Sequence, residues 1–326
     1  MSSPNALQGG LFRFGPVQRL LGWLDAMPHP SFVCEITPTH IAAARWGHGR
    51  LNLDGFGVEA LPTGAVVPSP VETNIPRPEV VRGALRHVLT RVPTRGQDVT
   101  LLVPDPVVRV FILPFEKFPR RADEAVPLLR WRLKKSVPFD VEETVVSAMR
   151  QSGRDGSLEV VAALARQKIL REYESVVEGV GMNVGVVLSS MLATLPLIHD
   201  QGATLLARMS GTSLTTVIVR GETMCVYRSS EMSVDAGQLE PRALLDEIFP
   251  AVAYYQDTWG GGLGRVRLSG LGQRFEDFRQ LVGGEFGCTV LPLVAGQRSE
   301  QFPRGVVGMF ERRLDALVGW NLNRGS

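Results

Sequence analysis

The chain has 326 residues, of which 44% are hydrophobic, enough for one large or two modest domains with a real core. This composition excludes wholesale disorder, and a formal net charge of only +2 excludes broad, charge-driven binding of nucleic acid. No apolar run is long enough to span a membrane. Cys34, Cys225 and Cys288 stand far apart without a CxxC pair, so we expect buried free thiols in a reducing cytoplasm.

Residues 1–29 are expected to form a tail, partly amphipathic, ahead of the folded body. Residues 1–10 are small and polar. Residues 11–27 carry several Leu, Phe and Trp side chains, with only Arg13 and Arg19 as cations. They fit two alternatives, a short helix on a membrane surface and a segment docked on the protein itself, and the sequence leaves both open.

Residues 30–200 are predicted to form a first α/β unit that opens with three strands. A proline-rich loop over 61–78 precedes the first helix. From 107 to 188 the order strand, helix, strand, strand, helix, strand predicts an inserted split βαβ subdomain, with bounds near 105 and 182. The predicted strands are 31–36, 41–46, 51–58, 98–102, 107–113, 142–151, 158–165 and 183–188, and the predicted helices are 79–92, 126–137 and 167–180.

Residues 203–326 are predicted to form a second unit that repeats the plan of the first. It again opens with three strands, followed by helices and a buried parallel strand. The predicted strands are 204–209, 215–220, 224–229, 266–269 and 288–291, and the predicted helices are 241–257, 275–281 and 305–317. Two such units suggest a duplicated α/β fold.

The segment 123–140 combines an apolar helical stripe with a cluster of cations and an abrupt stop. Pro138 is expected to end the helix at or before Val137. Pro127 is tolerated only if the helix begins near Asp123. The stripe consists of Val126, Leu129, Leu133 and Val137, and the cations are Arg130, Arg132, Lys134 and Lys135.

The spelling of this segment resembles the signature of the PilM family of type IV pilus assembly proteins. The resemblance rests on Arg130-Trp131, on the Val-Pro-Phe-Asp sequence at 137–140, and on the acidic pair Glu142 and Glu143. It extends weakly from about 32 to about 313. The family is related to FtsA and to the cytoplasmic part of GspL. The resemblance implies an α/β, two-lobed actin-like (ASKHA) fold with an inserted split-βαβ subdomain in lobe one.

The resemblance also implies a nucleotide cleft built from two hairpin turns and a glycine-containing turn. The candidate nucleotide-binding residues are Glu35, Thr37, Thr39, Gly211, Thr212, Ser213, Thr215, Gly270 and Gly272.

This cleft departs from the family pattern at both hairpins. In the first, Thr37 stands at the family's glycine position and Pro38 lacks an N–H donor. In the second, Met209 stands at the family's aspartate position, and the neighbouring Arg208 could neutralise phosphate charge but cannot replace that carboxylate. We therefore expect ATP hydrolysis to be absent or vestigial, with no catalytic residue and no metal site; weak binding of ATP with magnesium is left open.

If hydrolysis is lost, we expect the protein to act by binding other proteins through its surface. The resemblance implies a cytoplasmic scaffold at the inner face of the inner membrane, which binds the cytoplasmic N-terminal tail of a PilN-like membrane partner. Membrane association would then run through that partner, and self-association is left open. The candidate partner-binding residues are Arg109, Phe111, Arg130, Trp131 and Lys134. For Trp131 the alternative is a packing role inside the subdomain.

The sequence also has three alternative functional interpretations. An active actin-like ATPase would need the missing aspartate. A GspL-like component of type II secretion cannot be separated from a pilus protein by sequence. An FtsA-like division tether would carry an amphipathic C-terminal helix, which the end of the chain does not resemble. No Walker loop, nucleophile elbow or histidine-cysteine metal spacing occurs.

Overall fold

The computed structural model describes residues 30–323, except 50, 95, 97 and 295–300. The predicted tail, including 11–27, therefore lies outside the described residues. Among the residues described, no helix is both long enough and apolar enough to cross a membrane. The three cysteines are free, and Cys34 and Cys225 are buried.

Lobe one is built on a five-stranded sheet in the order β3-β2-β1-β4-β8. β1 runs antiparallel to β2 and parallel to β4, and β4 runs parallel to β8. The strands are β1 (Phe32–Ile36), β2 (His40–Trp46), β3 (Leu53–Ala60), β4 (Asp98–Val103) and β8 (Asn183–Ser189); the helices of this lobe are α1 (Pro78–Leu89), α3 (Gln167–Glu178) and the short α4 (Ser190–Thr194).

A three-stranded antiparallel sheet, ordered β5-β7-β6, is inserted between β4 and α3. Its elements are β5 (Arg109–Phe115), α2 (Ala122–Leu133), β6 (Thr144–Ser152) and β7 (Leu158–Arg166). The apolar face of α2 packs on this sheet through Leu129 and Leu133. The strand that was expected to close the inserted module, β8, instead pairs with β4, and α3 packs beside α1 in the core of lobe one.

Lobe two repeats the plan, with a five-stranded sheet in the order β11-β10-β9-β12-β13. Its strands are β9 (Ala203–Ser210), β10 (Ser213–Arg220), β11 (Thr223–Glu231), β12 (Arg265–Ser269) and β13 (Thr289–Pro292). Its helices are α5 (Pro241–Trp259), α6 (Phe275–Phe286), α7 (Arg304–Glu311) and α8 (Asp315–Asn323).

The two lobes share one hydrophobic core. It joins the inner faces of both five-stranded sheets to α4, α7 and α8, and its largest members are Trp46 and Trp320, each at most 1% exposed. Two further cores lie under α1 and α3 on the outer face of lobe one and under α5 and α6 on that of lobe two. The lobes are thus held together by buried apolar surface.

The inserted sheet is also fastened to lobe two. The side-chain amide of Gln151 donates to the carbonyl oxygen of Met224 at 2.8 Å, and its Oε1 accepts from the N–H of Met224 at 3.1 Å. The side-chain amide of Gln151 thus forms with Met224 the two hydrogen bonds that the backbone of a neighbouring strand would form at the edge of β11. Arg154 adds a hydrogen bond of 2.8 Å to the carbonyl oxygen of Thr258.

Two helix predictions need correction. A single helix over 305–317 is wrong, because the chain breaks at Arg313, which adopts a positive φ of 61°, and continues as α8. The helix predicted over 126–137 begins at Ala122 and ends at Leu133, so Pro127 lies inside its second turn. The short helix α4 was not predicted.

Candidate functional site

Two hairpin turns meet at the cleft between the lobes. The first joins β1 to β2 and contains Pro38, and the second joins β9 to β10 and contains Gly211. Gly211 has a φ of 61°, and a Cβ atom placed on it would lie 3.3 Å from the ring of Pro38. The turns approach so closely that no further group fits between these two residues.

The amide donors of the first turn are satisfied within the turn. The hydroxyl of Thr37 accepts hydrogen bonds from the backbone N–H groups of Thr39 and His40, at 3.3 and 3.0 Å. The same hydroxyl donates to the carbonyl oxygen of His40 at 2.8 Å. A turn that binds phosphate presents free N–H groups to the ligand, so the Thr37 hydroxyl takes the place of a phosphate oxygen.

The third cleft segment requires glycine at Gly270 for steric reasons and at Gly272 because of its positive φ. Gly270 has a φ of 83°, and a Cβ atom there would lie 2.0 Å from the carbonyl oxygen of Met209. At Gly272, with a φ of 57°, a Cβ atom would lie 2.0 Å from a guanidinium nitrogen of Arg313. Both glycines therefore allow close approach of neighbours within the protein itself.

The three segments border a cleft of about 620 Å³ with several cations at its mouth. Of the predicted nucleotide-binding residues, three line this cleft: Thr39, Gly211 and Gly270. Three others are buried: Glu35, Ser213 and Thr215. Of the remaining three, Thr37 forms hydrogen bonds within its own turn, Thr212 is exposed, and Gly272 lies against Arg313. The charged residues along the cleft are Arg208, Arg274, Arg312, Arg313, Asp235 and Glu311.

Beneath this cleft, Arg208 of β9 reaches across the lobe boundary into a cluster of carboxylates. Its Nη2 donates to Oε1 of Glu35, at the end of β1, over 3.0 Å. Its Nη1 lies 3.6 Å from Oδ2 of Asp105, which follows β4. The side chains of Arg208, Glu35 and Asp105 are 6%, 0% and 2% exposed. The guanidinium of Arg208 borders the cleft and is paired with carboxylates inside the protein.

Hydroxyl and amide donors complete the cluster. Ser190, the first residue of α4, donates to Oε1 of Glu35 at 2.6 Å, and the N–H of Met191 donates to Oδ1 of Asp105 at 2.7 Å. Asp315, the first residue of α8, accepts from the hydroxyl of Ser269 at 2.6 Å. The cluster thus joins β1, β4, β9, β12, α4 and α8 at one buried point.

Burial and charge shift the titration of these groups in opposite directions. Burial raises the pKa of Asp105 and of Asp315 above the ordinary range of a carboxyl, although the positive charge of Arg208 opposes both shifts. Burial alone would lower the pKa of Arg208, but the charges of Glu35, Asp105 and Asp315 outweigh it and raise that pKa. The guanidinium therefore stays charged.

These residues do not fit the nucleotide-bound magnesium that an actin-like fold implies. A guanidinium, with no acceptor atom, stands among the carboxylates that would have to hold the ion or its water. Among the described residues, no group of His, Cys, Asp or Glu side chains is arranged to hold a metal ion. In the first turn, the backbone N–H groups of Thr39 and His40 already donate to the hydroxyl of Thr37.

The five predicted partner-binding residues fall on two surfaces. Arg109 and Phe111 lie on β5, where Phe111 lines a groove of about 350 Å³ between β5 and β11. Arg130, Trp131 and Lys134 lie at the end of α2, and Arg130 bonds to the carbonyl oxygen of Thr144 on β6, at the opposite edge of the inserted sheet.

Trp131 is 73% exposed and takes no part in the core of the inserted subdomain. The alternative of a packing role for Trp131 is therefore wrong. Lys134 and Lys135 follow it by one helical turn and are also exposed. This arrangement leaves a large aromatic ring beside two cations on the surface.

Comparison with solved structures gives the fold. The chain is similar to a chain of the PilM-PilN type IV pilus biogenesis complex, with a TM-score of 0.71 over 90% of this chain and 98% of that one, at 15% identity. The fold is that of PilM-like, actin-like proteins. The predicted resemblance and fold class are thereby confirmed.

Weaker similarities extend to the cytoplasmic domain of EpsL from the type II secretion system of Vibrio cholerae (TM-score 0.44, 15% identity, 73% of this chain and 80% of that one). They also extend to the ethanolamine utilization protein EutJ of Carboxydothermus hydrogenoformans (TM-score 0.46, 9% identity, 94% and 97%). No protein-family model and no curated protein matches the chain.

Sequence reasoning missed three members of the buried cluster: Asp105, Ser190 and Asp315. Asp105 stands alone between two prolines, and Asp315 follows a break that the apolar spacing conceals. One signal in the sequence could have indicated this cluster: Glu35 and Arg208 occupy equivalent positions in two similar hairpins and carry opposite charges.

Proposed function

We propose that this chain is a cytoplasmic, actin-like scaffold protein of type IV pilus assembly. In this proposal it binds the cytoplasmic N-terminal tail of a PilN-like protein of the inner membrane and has lost nucleotide hydrolysis. It would work at the inner face of that membrane, where its partner holds it.

The observation that carries the proposal is the position of Arg208. Phosphoryl transfer depends on a metal ion and on a carboxylate that holds it or orients water. Here Glu35 and Asp105, two of the three carboxylates of the buried cluster, are engaged by the guanidinium of Arg208 and by donors from α4. An actin-like fold with this cleft keeps its shape and surfaces, so binding to other proteins is the function that remains.

The partner is suggested by the similarity to a chain of the PilM-PilN complex, an assembly of two proteins. The exposed ring of Trp131 supports α2 as the docking surface, because large exposed aromatic residues mark interaction sites and tryptophan is enriched among binding hot spots. Lys134 adds a charge that a partner segment can satisfy.

The test is a titration of the protein with the N-terminal cytoplasmic peptide of the membrane protein encoded by a neighbouring gene. We expect binding that is the same with and without Mg-ATP and that is weakened at least about tenfold by Trp131→Ala. Phe249→Ala is the matched control, since Phe249 is also an exposed aromatic residue, 48% exposed, but lies on α5 of lobe two, where its ring stacks on Phe286 away from both candidate surfaces.

Three results would count against the proposal. The first is no binding by the wild-type protein. The second is binding that requires Mg-ATP. The third is equal loss of affinity in the Trp131 and Phe249 variants, which would remove α2 as the docking surface.

A further inference from the structure

The C-terminal end of α2 carries a cluster of exposed cations. Arg132, Lys134 and Lys135 are all exposed, and among the described residues none of the three is paired with a carboxylate. The acidic residues of the helix, Asp123 and Glu124, lie in its first turn, where they pair with an arginine. The two ends of α2 therefore differ in charge, and the positive end is available to an anionic partner.

An exposed aromatic ring lies beside these cations. Trp131 is 73% exposed and lies one helical turn before Lys134 and Lys135. The helix dipole favours cations at a helix C-terminus, which accounts for the charge of this end. It does not account for the ring, because a tryptophan in water forgoes the burial of a large apolar surface. Tryptophan beside lysine and arginine is typical of surfaces that lie at the level of lipid headgroups.

This end of α2 belongs to the outer layer of the inserted subdomain. One face of the inserted sheet packs on the core shared by the lobes through Val110, Ile112 and Met149. The opposite face is covered by α2 through Leu129 and Leu133. The exposed side of α2 therefore faces away from the shared core, where an extended surface can approach it.

We propose that Trp131, Arg132, Lys134 and Lys135 form a surface that contacts the headgroups of an anionic membrane directly. The cations attract anionic lipids over about 10 Å, the screening length in physiological salt, and the ring enters the headgroup layer. Few cations and one ring give weak, reversible binding, so the contact orients the protein at the membrane and does not anchor it. This inference goes beyond the proposed function, in which the membrane partner alone holds the protein.

The experiment measures sedimentation of the purified protein with lipid vesicles, in the absence of any peptide. We expect binding to vesicles that contain phosphatidylglycerol, no binding to vesicles of phosphatidylcholine alone, and weaker binding as salt is added. The double variant Arg132→Glu/Lys135→Glu should bind anionic vesicles at least about tenfold more weakly. Its matched control is Arg242→Glu/Arg279→Glu, which changes the net charge equally at two exposed arginines of lobe two and should bind like the wild type.

A loss confined to the Arg132 and Lys135 variant, with an unchanged thermal midpoint of unfolding, supports the proposal. Absence of wild-type binding to anionic vesicles overturns it, and so does equal loss in the two double variants. Undiminished binding in the Arg132 and Lys135 variant also overturns it, because another segment, such as residues 11–27, then binds the lipid. Neither Arg132 nor Lys135 belongs to the proposed docking site, and the peptide titration contains no vesicles, so failure of either proposal leaves the other testable.

Discussion

At the residue scale, Asp200 lies in a buried ion pair that stabilises lobe two. It accepts two hydrogen bonds from Arg267, from Nε at 2.5 Å and from Nη2 at 2.7 Å, and a further one from Arg265. Arg267 and Asp200 have side chains only 2% and 1% exposed. Breaking such a pair leaves an uncompensated buried charge.

We therefore expect Asp200→Ala to lower the free energy of unfolding by about 3–5 kcal/mol. Asp246→Ala should cost at most about 1 kcal/mol, because its ion pair with Arg242 is exposed. Both values come from chemical denaturation. Equal losses in the two variants would contradict the assigned role of Asp200.

The ion pair between Asp200 and Arg267 also makes the free energy of unfolding depend on pH. Although burial opposes the shift, the hydrogen bonds and charges of Arg267 and Arg265 lower the pKa of Asp200. Its contribution is therefore present above the ordinary pKa of an aspartate and is lost as the pH falls through the lowered value. In the Asp200→Ala variant this part of the acid sensitivity should be missing from the unfolding curves.

At the scale of the element, α4 and α8 cross closely between the lobes. A Cβ atom on Gly319 of α8 would lie 2.1 Å from the carbonyl oxygen of Ala193 in α4. This contact is made by backbone, which cannot move aside as a flexible side chain can. The glycine is therefore required by packing.

We expect Gly319→Ala to lower the free energy of unfolding by about 1–3 kcal/mol. Gly83→Ala is the control, because Gly83 lies inside α1 with open space around it, and alanine there should add about 0.5–1 kcal/mol. A Gly319 variant as stable as the wild type would show that the helices can separate without loss.

The same elements show what the sequence could predict. The β-strands could be predicted because short apolar runs bounded by turn residues mark them, as with His40–Trp46. The end of α7 could not be predicted. Arg313 is not a glycine although it adopts a left-handed conformation, and Leu314 and Leu317 continue the apolar spacing across the break. The buried cluster around Arg208 could not be predicted either, because its members come from six separate elements and meet only in the folded chain.

At the scale of the whole molecule, the lobes are fixed to each other by three kinds of contact. They share a hydrophobic core around α4 and α8, a buried ion cluster at Arg208, and the Gln151 bridge from the inserted sheet to β11. These three contacts oppose separation of the lobes.

The most direct test of this account is the release of inorganic phosphate from Mg-ATP by the purified wild-type protein, measured beside Glu35→Gln. The account predicts phosphate release at the level of buffer alone for both proteins, because Arg208 engages the carboxylates Glu35 and Asp105 and the hydroxyl of Thr37 engages the amides of the first turn. Turnover clearly above buffer that Glu35→Gln abolishes would contradict it, since the cleft would then be a working active site.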